Sequence, residues 1–77
     1  AGAAVNTRLA YERDLRGASE TLGGGLVAAD RAALARLAES WSGLARTTVA
    51  RKGSALRRFF GFLVEEGMRA DDPSRDL

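Results

Sequence analysis

The stretch from Arg46 to Val64 constrains the fold of this chain more than any other. Its apolar residues recur at spacings of three and four, the period of one buried helix face. They are Val49, Leu56, Phe59, Phe60, Leu63 and Val64. Thr47 or Thr48 is placed to cap the start of such a helix. The pattern therefore predicts a long, half-buried helix in the C-terminal part of the chain.

The opposite side of this predicted helix is polar and basic. At about 100° per residue, four hydrogen-bond donors fall together on it: Thr47, Arg51, Ser54 and Arg58. Residues 46–64 carry a net charge of +5 and no acid, whereas residues 1–45 are neutral and residues 65–77 carry −3. Positive charge concentrated in this way is typical of contact with a polyanion. We expect the helix to bury one side and to present the other to phosphate.

Two further helical segments precede it. The first is predicted from about Val5 to Leu22, with Asn6 or Thr7 as its N-cap, and Ala1–Ala4 are expected to be frayed. The residues predicted to face inward are Tyr11, Leu15, Ala18 and Leu22. Gly23–Gly25 should end this helix, because consecutive glycines make its continuation costly. We interpret the triplet as a loop rather than a phosphate cradle.

The second helix is predicted from Ala29 or Asp30 to about Trp41. Its inward set is Ala33, Leu34, Leu37 and Trp41, and Ser42-Gly43 should break it. The third helix is expected to end near Gly67, and Gly53 or Gly61 could bend it. Pro73 then indicates an exit strand or a short turn. The predicted fold is all-α, a small orthogonal bundle of three main helices with a short extra turn at the C-terminal end.

Composition narrows the function classes. With 77 residues, the chain 1–77 is expected to form a single domain. It contains neither cysteine nor histidine, which removes thiolate chemistry, the commonest metal ligand and the usual neutral-pH base. We predict no catalytic residue, no metal site and no cofactor in it. The absence of a long apolar run predicts no membrane partner and a cytoplasmic location.

Three pieces of the sequence together resemble one family. Thr47-Thr48-Val49-Ala50-Arg51, followed by Ser54 to Phe60 and by Phe62-Leu63, resembles the last long helix of the core-binding domain of tyrosine recombinases of the phage integrase and Xer type. Asn6-Thr7 with Ala10 to Leu15 resembles that domain's Asn-Thr-led helix, and Glu66 to Pro73 its exit segment. The order and spacing of the pieces, which span Asn6 to Leu77, carry the resemblance.

The resemblance implies a SAM-like fold whose first and last helices approach the major groove of double-stranded DNA. Matching positions, together with the basic run, give the DNA-binding candidates: Asn6, Thr7, Arg13, Arg46, Thr47, Thr48, Arg51, Ser54, Arg57 and Arg58. The nucleophilic tyrosine and the activating arginines of the family lie in a separate C-terminal catalytic domain, which is absent from this sequence. The implied partners are that domain, other recombinase protomers on DNA, and the duplex itself.

Several residues are expected to be structural. Tyr11 falls on the apolar stripe of the first helix and is interpreted as core, as is Trp41. Lys52 stands where the family commonly has an apolar residue, and Gly53 stands where it has a larger apolar one. The Lys52 stem is expected to pack while its amine reaches outward. The family domain usually has one more helix before the Asn-Thr segment, and we expect its absence to remove a protomer contact and to expose apolar surface.

Two alternative functions stay open. Gly43 and Val49 have the six-residue offset of a helix-turn-helix, although Glu39 stands where that motif prefers a small residue and the last helix is long for a recognition helix. The chain could instead be a helical module that binds a partner protein through its apolar residues. Binding to a protein would be insensitive to salt, whereas binding to DNA would weaken steeply as salt rises.

Overall fold

The computed structural model describes residues 2–77, with side chains from Val5 onward. It contains three α-helices, α1 (Gly2–Thr21), α2 (Arg31–Glu39) and α3 (Arg46–Glu65), and a short 3₁₀ turn at Leu26–Ala28. Residues 73–76 form a further turn, and residues 2–77 include no strand. The predicted all-α bundle of three main helices is confirmed. Within the same residues, no helix is long and apolar enough to cross a bilayer.

The start of α1 differs from the prediction. The helix begins at Gly2 rather than near Val5, so Asn6 and Thr7 lie inside it and neither is an N-cap. Alanine has the highest helix propensity, and the residues before Val5 therefore extend the helix instead of ending it. Ala1, part of the segment expected to be frayed, lies outside the described residues.

The glycine triplet ends α1 as predicted. Gly23 has a φ of 74°, in the left-handed region that favours glycine. Its N–H donates to the carbonyl of Glu20 at 3.0 Å, and the N–H of Gly24 donates to the carbonyl of Ser19 at 2.7 Å. This pair of hydrogen bonds satisfies carbonyls that the end of a helix would otherwise leave unpaired.

The second helix, α2, begins where the sequence predicts. The Asp30 carboxylate accepts a hydrogen bond from the N–H of Ala33 at 2.8 Å, which makes Asp30 the N-cap. The helix ends at Glu39, two residues before the predicted limit at Trp41. Trp41 is nevertheless buried, because the turn after α2 carries its ring into the core.

The third helix, α3, runs without interruption through Gly53 and Gly61. Its N-cap is Ala45, which makes no side-chain capping bond, and the threonines proposed as caps lie in the first turn instead. It ends at Glu65, and Gly67 follows with a φ of 72°. The N–H of Met68 donates to the carbonyl of Leu63 at 2.8 Å, closing this end in the same way as in α1.

The core is built from all three helices and the turns between them. Its buried members are Ala18, Leu26, Ala29, Leu34, Leu37, Trp41, Leu56, Phe60 and Leu63. The predicted inward faces of α2 and α3 supply most of this set. Val49 and Phe59 are only partly buried, and Val64 is exposed, at 38%. Tyr11 was predicted to be core but lies half-buried beside the bundle, outside this cluster.

Candidate nucleic-acid interface

The basic side of α3 lies beside α1. Arg51 of α3 binds Asp14 of α1, and Arg58, two turns further along α3, lies over Tyr11, one turn earlier in α1. Because the α3 positions rise as the α1 positions fall, the two helices run antiparallel. The contact between them therefore brings the middle of α1 alongside the middle of the basic helix.

A buried carboxylate organises this contact. The Asp14 side chain is only 3% exposed. Its Oδ2 accepts from Nε of Arg51 at 2.8 Å, and its Oδ1 accepts from Nη2 of Arg51 at 3.1 Å and from Nζ of Lys52 at 3.3 Å. Burial alone would raise the pKa of Asp14, but the hydrogen bonds and charges of Arg51 and Lys52 outweigh it and lower that pKa. The hydrogen bond and the charge of Asp14 in turn raise the pKa of Arg51.

Arg51 is held but not enclosed. Its side chain is 42% exposed, and Asp14 occupies only Nε and Nη2, which leaves Nη1 outside the bidentate pair. The side chain of Lys52 is more buried, with 23% of it exposed. The expectation that its amine reaches outward is wrong, because the acidic partner inside the bundle attracts the amine more strongly than solvent does. The interpretation of Lys52 as a structural residue is consistent with its contact with Asp14.

Arg58 closes one side of a surface groove. Its Cζ lies 5.6 Å from the centroid of the Tyr11 ring, within the range of a cation–π contact. The groove has a volume of about 480 Å³ and is lined by Val5, Thr7, Arg8, Tyr11 and Arg58. Two arginines, a hydroxyl and a phenol thus surround one opening. Tyr11 supports an arginine here instead of filling the core.

Arg57 joins α3 to Leu77. Its Nη1 donates to the carbonyl of Leu77 at 3.0 Å, and its Nη2 donates to Oγ of Ser54 at 3.2 Å. Gly53 lies directly beneath: a Cβ built there would be 3.2 Å from Nη1 of Arg57. Both polar side chains of this group are proposed DNA contacts, and in the structure they are bound to each other.

The remaining candidates lie at the surface. Asn6, Thr7, Arg13, Arg46 and Thr47 are exposed, whereas Thr48 and Ser54 are half-buried. Among the ion pairs of the described residues, Arg51 is the only candidate that takes part. Most of the candidates therefore lie at the surface, with Arg51 anchored at the centre of the basic side of α3.

Sequence reasoning missed two residues of this surface and its support. Asp14 carried a usable signal, because it lies three residues after Tyr11 and four before Ala18, on the inward stripe where an acid requires a partner. Arg8 carried none, since its place beside the groove depends on how α1 and α3 pack together. No group of three metal-ligating side chains occurs among the residues whose side chains are described, 5–77.

Comparison with known proteins agrees with the resemblance. The model of the phage integrase N-terminal SAM-like domain matches residues 1–67. The chain is 63% identical over 76 residues to tyrosine recombinase XerC of Erythrobacter litoralis, an alignment covering 99% of this chain and 24% of the relative.

Other relatives are tyrosine recombinases as well. The chain is 44% identical over 78 residues to XerD of Brucella abortus and 45% identical over 80 residues to XerD of Rhizobium meliloti; each alignment covers 95% of this chain and 25% of the relative. The chain thus spans about a quarter of the length of these relatives. No solved structure matches it. The helical bundle and these matches together show that the chain belongs to the family of phage integrase N-terminal SAM-like domains.

Proposed function

We propose that this domain binds duplex DNA for a site-specific tyrosine recombinase, clamping it with the basic side of α3 and the first half of α1. Cleavage and rejoining of DNA would belong to a catalytic domain elsewhere in the parent enzyme. The observation that carries the proposal is the position of α3: its net +5 stretch has one apolar side in the core and its donors at the surface beside α1.

Helix geometry supports a single continuous face. Asn6, Ala10 and Arg13 share one side of α1, because they are four and three residues apart. That side is next to the side of α1 that carries Asp14 and faces α3. Around the axis of α3, the side that contacts α1 lies between the side that faces the core and the side that carries Ser54. Because α1 runs antiparallel, its Ala10 and Arg13 side falls on the same side of the bundle as Ser54. Donors from both helices then border one surface.

The expected affinity is modest. Five or so phosphate contacts from a small rigid surface give largely non-specific binding, with a Kd on the order of 10 μM or weaker at physiological salt. Hydrogen bonds from Thr47, Thr48 and Ser54 would fix the position of the domain along the duplex, because hydroxyl donors contact both phosphates and base edges. Other recombinase protomers on the same DNA would supply the affinity that one domain lacks.

An NMR titration of the labelled domain with a short duplex at low and moderate salt tests the proposal. We expect amide shifts concentrated at residues 6–13 and 47–58, fading as the salt concentration rises. Amides that stay unmoved at low salt would refute DNA binding by this face. That result would favour binding of a protein partner through the exposed apolar side chains, which include Phe62 and Met68.

The helix-turn-helix alternative receives less support. The connection between α2 and α3 covers residues 40–45, which is longer than the three or four residues typical of that motif's turn. Gly43 does have a positive φ, of 94°, as a turn glycine would. In that arrangement α2 would cross the backbone, so the titration would move amides of α2 as well as those of α3.

A further inference from the structure

The contact between α1 and α3 has an unusual balance of charge. An acid that faces a DNA-binding arginine normally weakens the attraction of that arginine to phosphate, because the two charges cancel at a distance. Asp14 is such an acid, since it holds Arg51 through two hydrogen bonds. A second cation, Lys52, lies on the same carboxylate with its amine 3.3 Å from Oδ1.

The three residues differ in what they present to the surface. Asp14 is buried, Lys52 is mostly buried and Arg51 is 42% exposed. The cluster contains two cations and one anion, so its formal charge is +1, and the exposed member is the arginine. Lys52 thereby offsets Asp14 inside the bundle, and the guanidinium at the surface keeps an uncompensated positive charge.

We propose that Lys52 is a positioning residue for DNA binding, acting through Asp14. The carboxylate fixes the plane of the Arg51 guanidinium and reduces the side-chain entropy lost on binding, while the Lys52 ammonium cancels the charge of that carboxylate. Arg51 is thus oriented by an acid without being neutralised by it. This inference rests on the proposed DNA binding and assigns Lys52, which lies off the contact face, a measurable share of it.

The test compares the binding of a short mixed-sequence duplex by wild type and variants over a series of salt concentrations. Lys52→Met keeps a long side chain for packing and removes the charge; Lys52→Gln also keeps a hydrogen-bond donor. We expect either variant to bind about threefold to tenfold more weakly at low salt, with the slope of log K against log salt shallower by about 0.9. Lys52→Arg retains the charge and should bind like the wild type.

A double variant separates charge from orientation. Asp14→Asn with Lys52→Met restores a formal charge of +1 but removes the ionised acceptor for Arg51. We expect the wild-type salt slope to return while the affinity stays below that of the wild type, because Arg51 is no longer held. A slope that stays shallow in the double variant would overturn the charge compensation. Thermal unfolding followed by circular dichroism verifies that each variant is folded.

The outcomes distinguish failure of DNA binding from failure of the role of Lys52. If the wild-type domain fails to bind the duplex at low salt, the proposed function fails. If the wild type binds and folded Lys52→Met and Lys52→Gln bind with the same affinity and slope, this inference fails while the proposed function stands. Arg36→Gln, which removes one exposed cation from α2, measures the effect of net charge alone and should change the slope less than the Lys52 variants do.

Discussion

The guanidinium of Arg69 lies against the ring of Phe60, with its Cζ 5.3 Å from the ring centroid. Its Nη1 also donates to the carbonyls of Val27 at 2.8 Å and Ala29 at 2.7 Å, and its other nitrogens bind Asp71. One side chain, 14% exposed, thus ties the segment after α3 to the turn before α2 and to the core.

Replacing Arg69 with methionine should destabilise the fold. The variant keeps apolar contact with Phe60 but leaves two carbonyls without their charged donor, and we expect the free energy of unfolding to fall by about 2–3 kcal/mol. Urea denaturation measures this loss. Arg75→Met, at an exposed position of the same segment, is the control and should change the value by less than about 0.5 kcal/mol. Equal effects of the two substitutions would contradict the role of Arg69.

The Asp14 contact predicts a pH dependence of stability. The pKa of Asp14 in the fold lies below its ordinary value of 3.8, so its contribution is fully present above that pH and is lost as the pH falls through the lowered value. Asp14→Asn should therefore cost about 1–3 kcal/mol at pH 7, and the gap to the wild type should narrow below about pH 4.

Urea unfolding of both proteins between neutral and acid pH measures that gap. Asp76→Asn, which removes the exposed partner of Arg31, should cost less than about 0.5 kcal/mol at any pH, because exposed ion pairs contribute little. A gap that is constant with pH would show that Asp14 is not ionised in the way its contacts require.

Two glycines near the end of α3 should respond in opposite directions to alanine. Gly67→Ala places a Cβ at a φ of 72° and should destabilise the domain by about 1 kcal/mol. Gly61 lies inside α3 with open space where a Cβ would be, and Gly61→Ala should stabilise by about 0.5–1 kcal/mol. Thermal unfolding of the pair provides the measurement. Destabilisation by both would indicate that α3 does not continue through Gly61.

Arg58 offers the most direct test of the surface proposed to bind DNA. Arg58→Gln removes the cation above Tyr11 and should weaken duplex binding by about threefold to tenfold at low salt, with a shallower salt dependence. Fluorescence anisotropy with a labelled duplex measures both quantities. Arg31→Gln, on α2, provides the comparison, and an equal loss from it would argue for a diffuse charge effect rather than a defined face.

Local signals in the sequence predicted much of the fold. The period of Leu56, Phe60 and Leu63 identified α3, the carboxylate of Asp30 marked the start of α2, and Gly67 marked the end of α3. Each of these features depends on residues close together in the sequence, so it can be predicted without knowing which other elements pack against it. The predicted start of α1 was wrong because an alanine-rich segment contains no residue that would stop the helix. A threonine or an asparagine is a cap only where the helix begins.

The candidate site was less predictable for a physical reason. A helical wheel shows that Arg51 and Arg58 share a side, but it does not show that Asp14 binds one and Tyr11 supports the other. Such pairs form between residues about forty positions apart and depend on how helices pack. The ten proposed DNA contacts accordingly stay predictions, while their neighbours within the domain are now defined.

The space above Gly53 links two positions of α3 that sequence comparison would treat separately. A methyl group there would crowd the guanidinium of Arg57 by a few tenths of an ångström and shift it away from the Leu77 carbonyl. Related domains with a larger residue at the position of Gly53 should therefore have a shorter one, or a redirected arginine, at the position of Arg57. Positions 53 and 57 are expected to vary together, and a graft that exchanges only one of them would lose the link between α3 and Leu77.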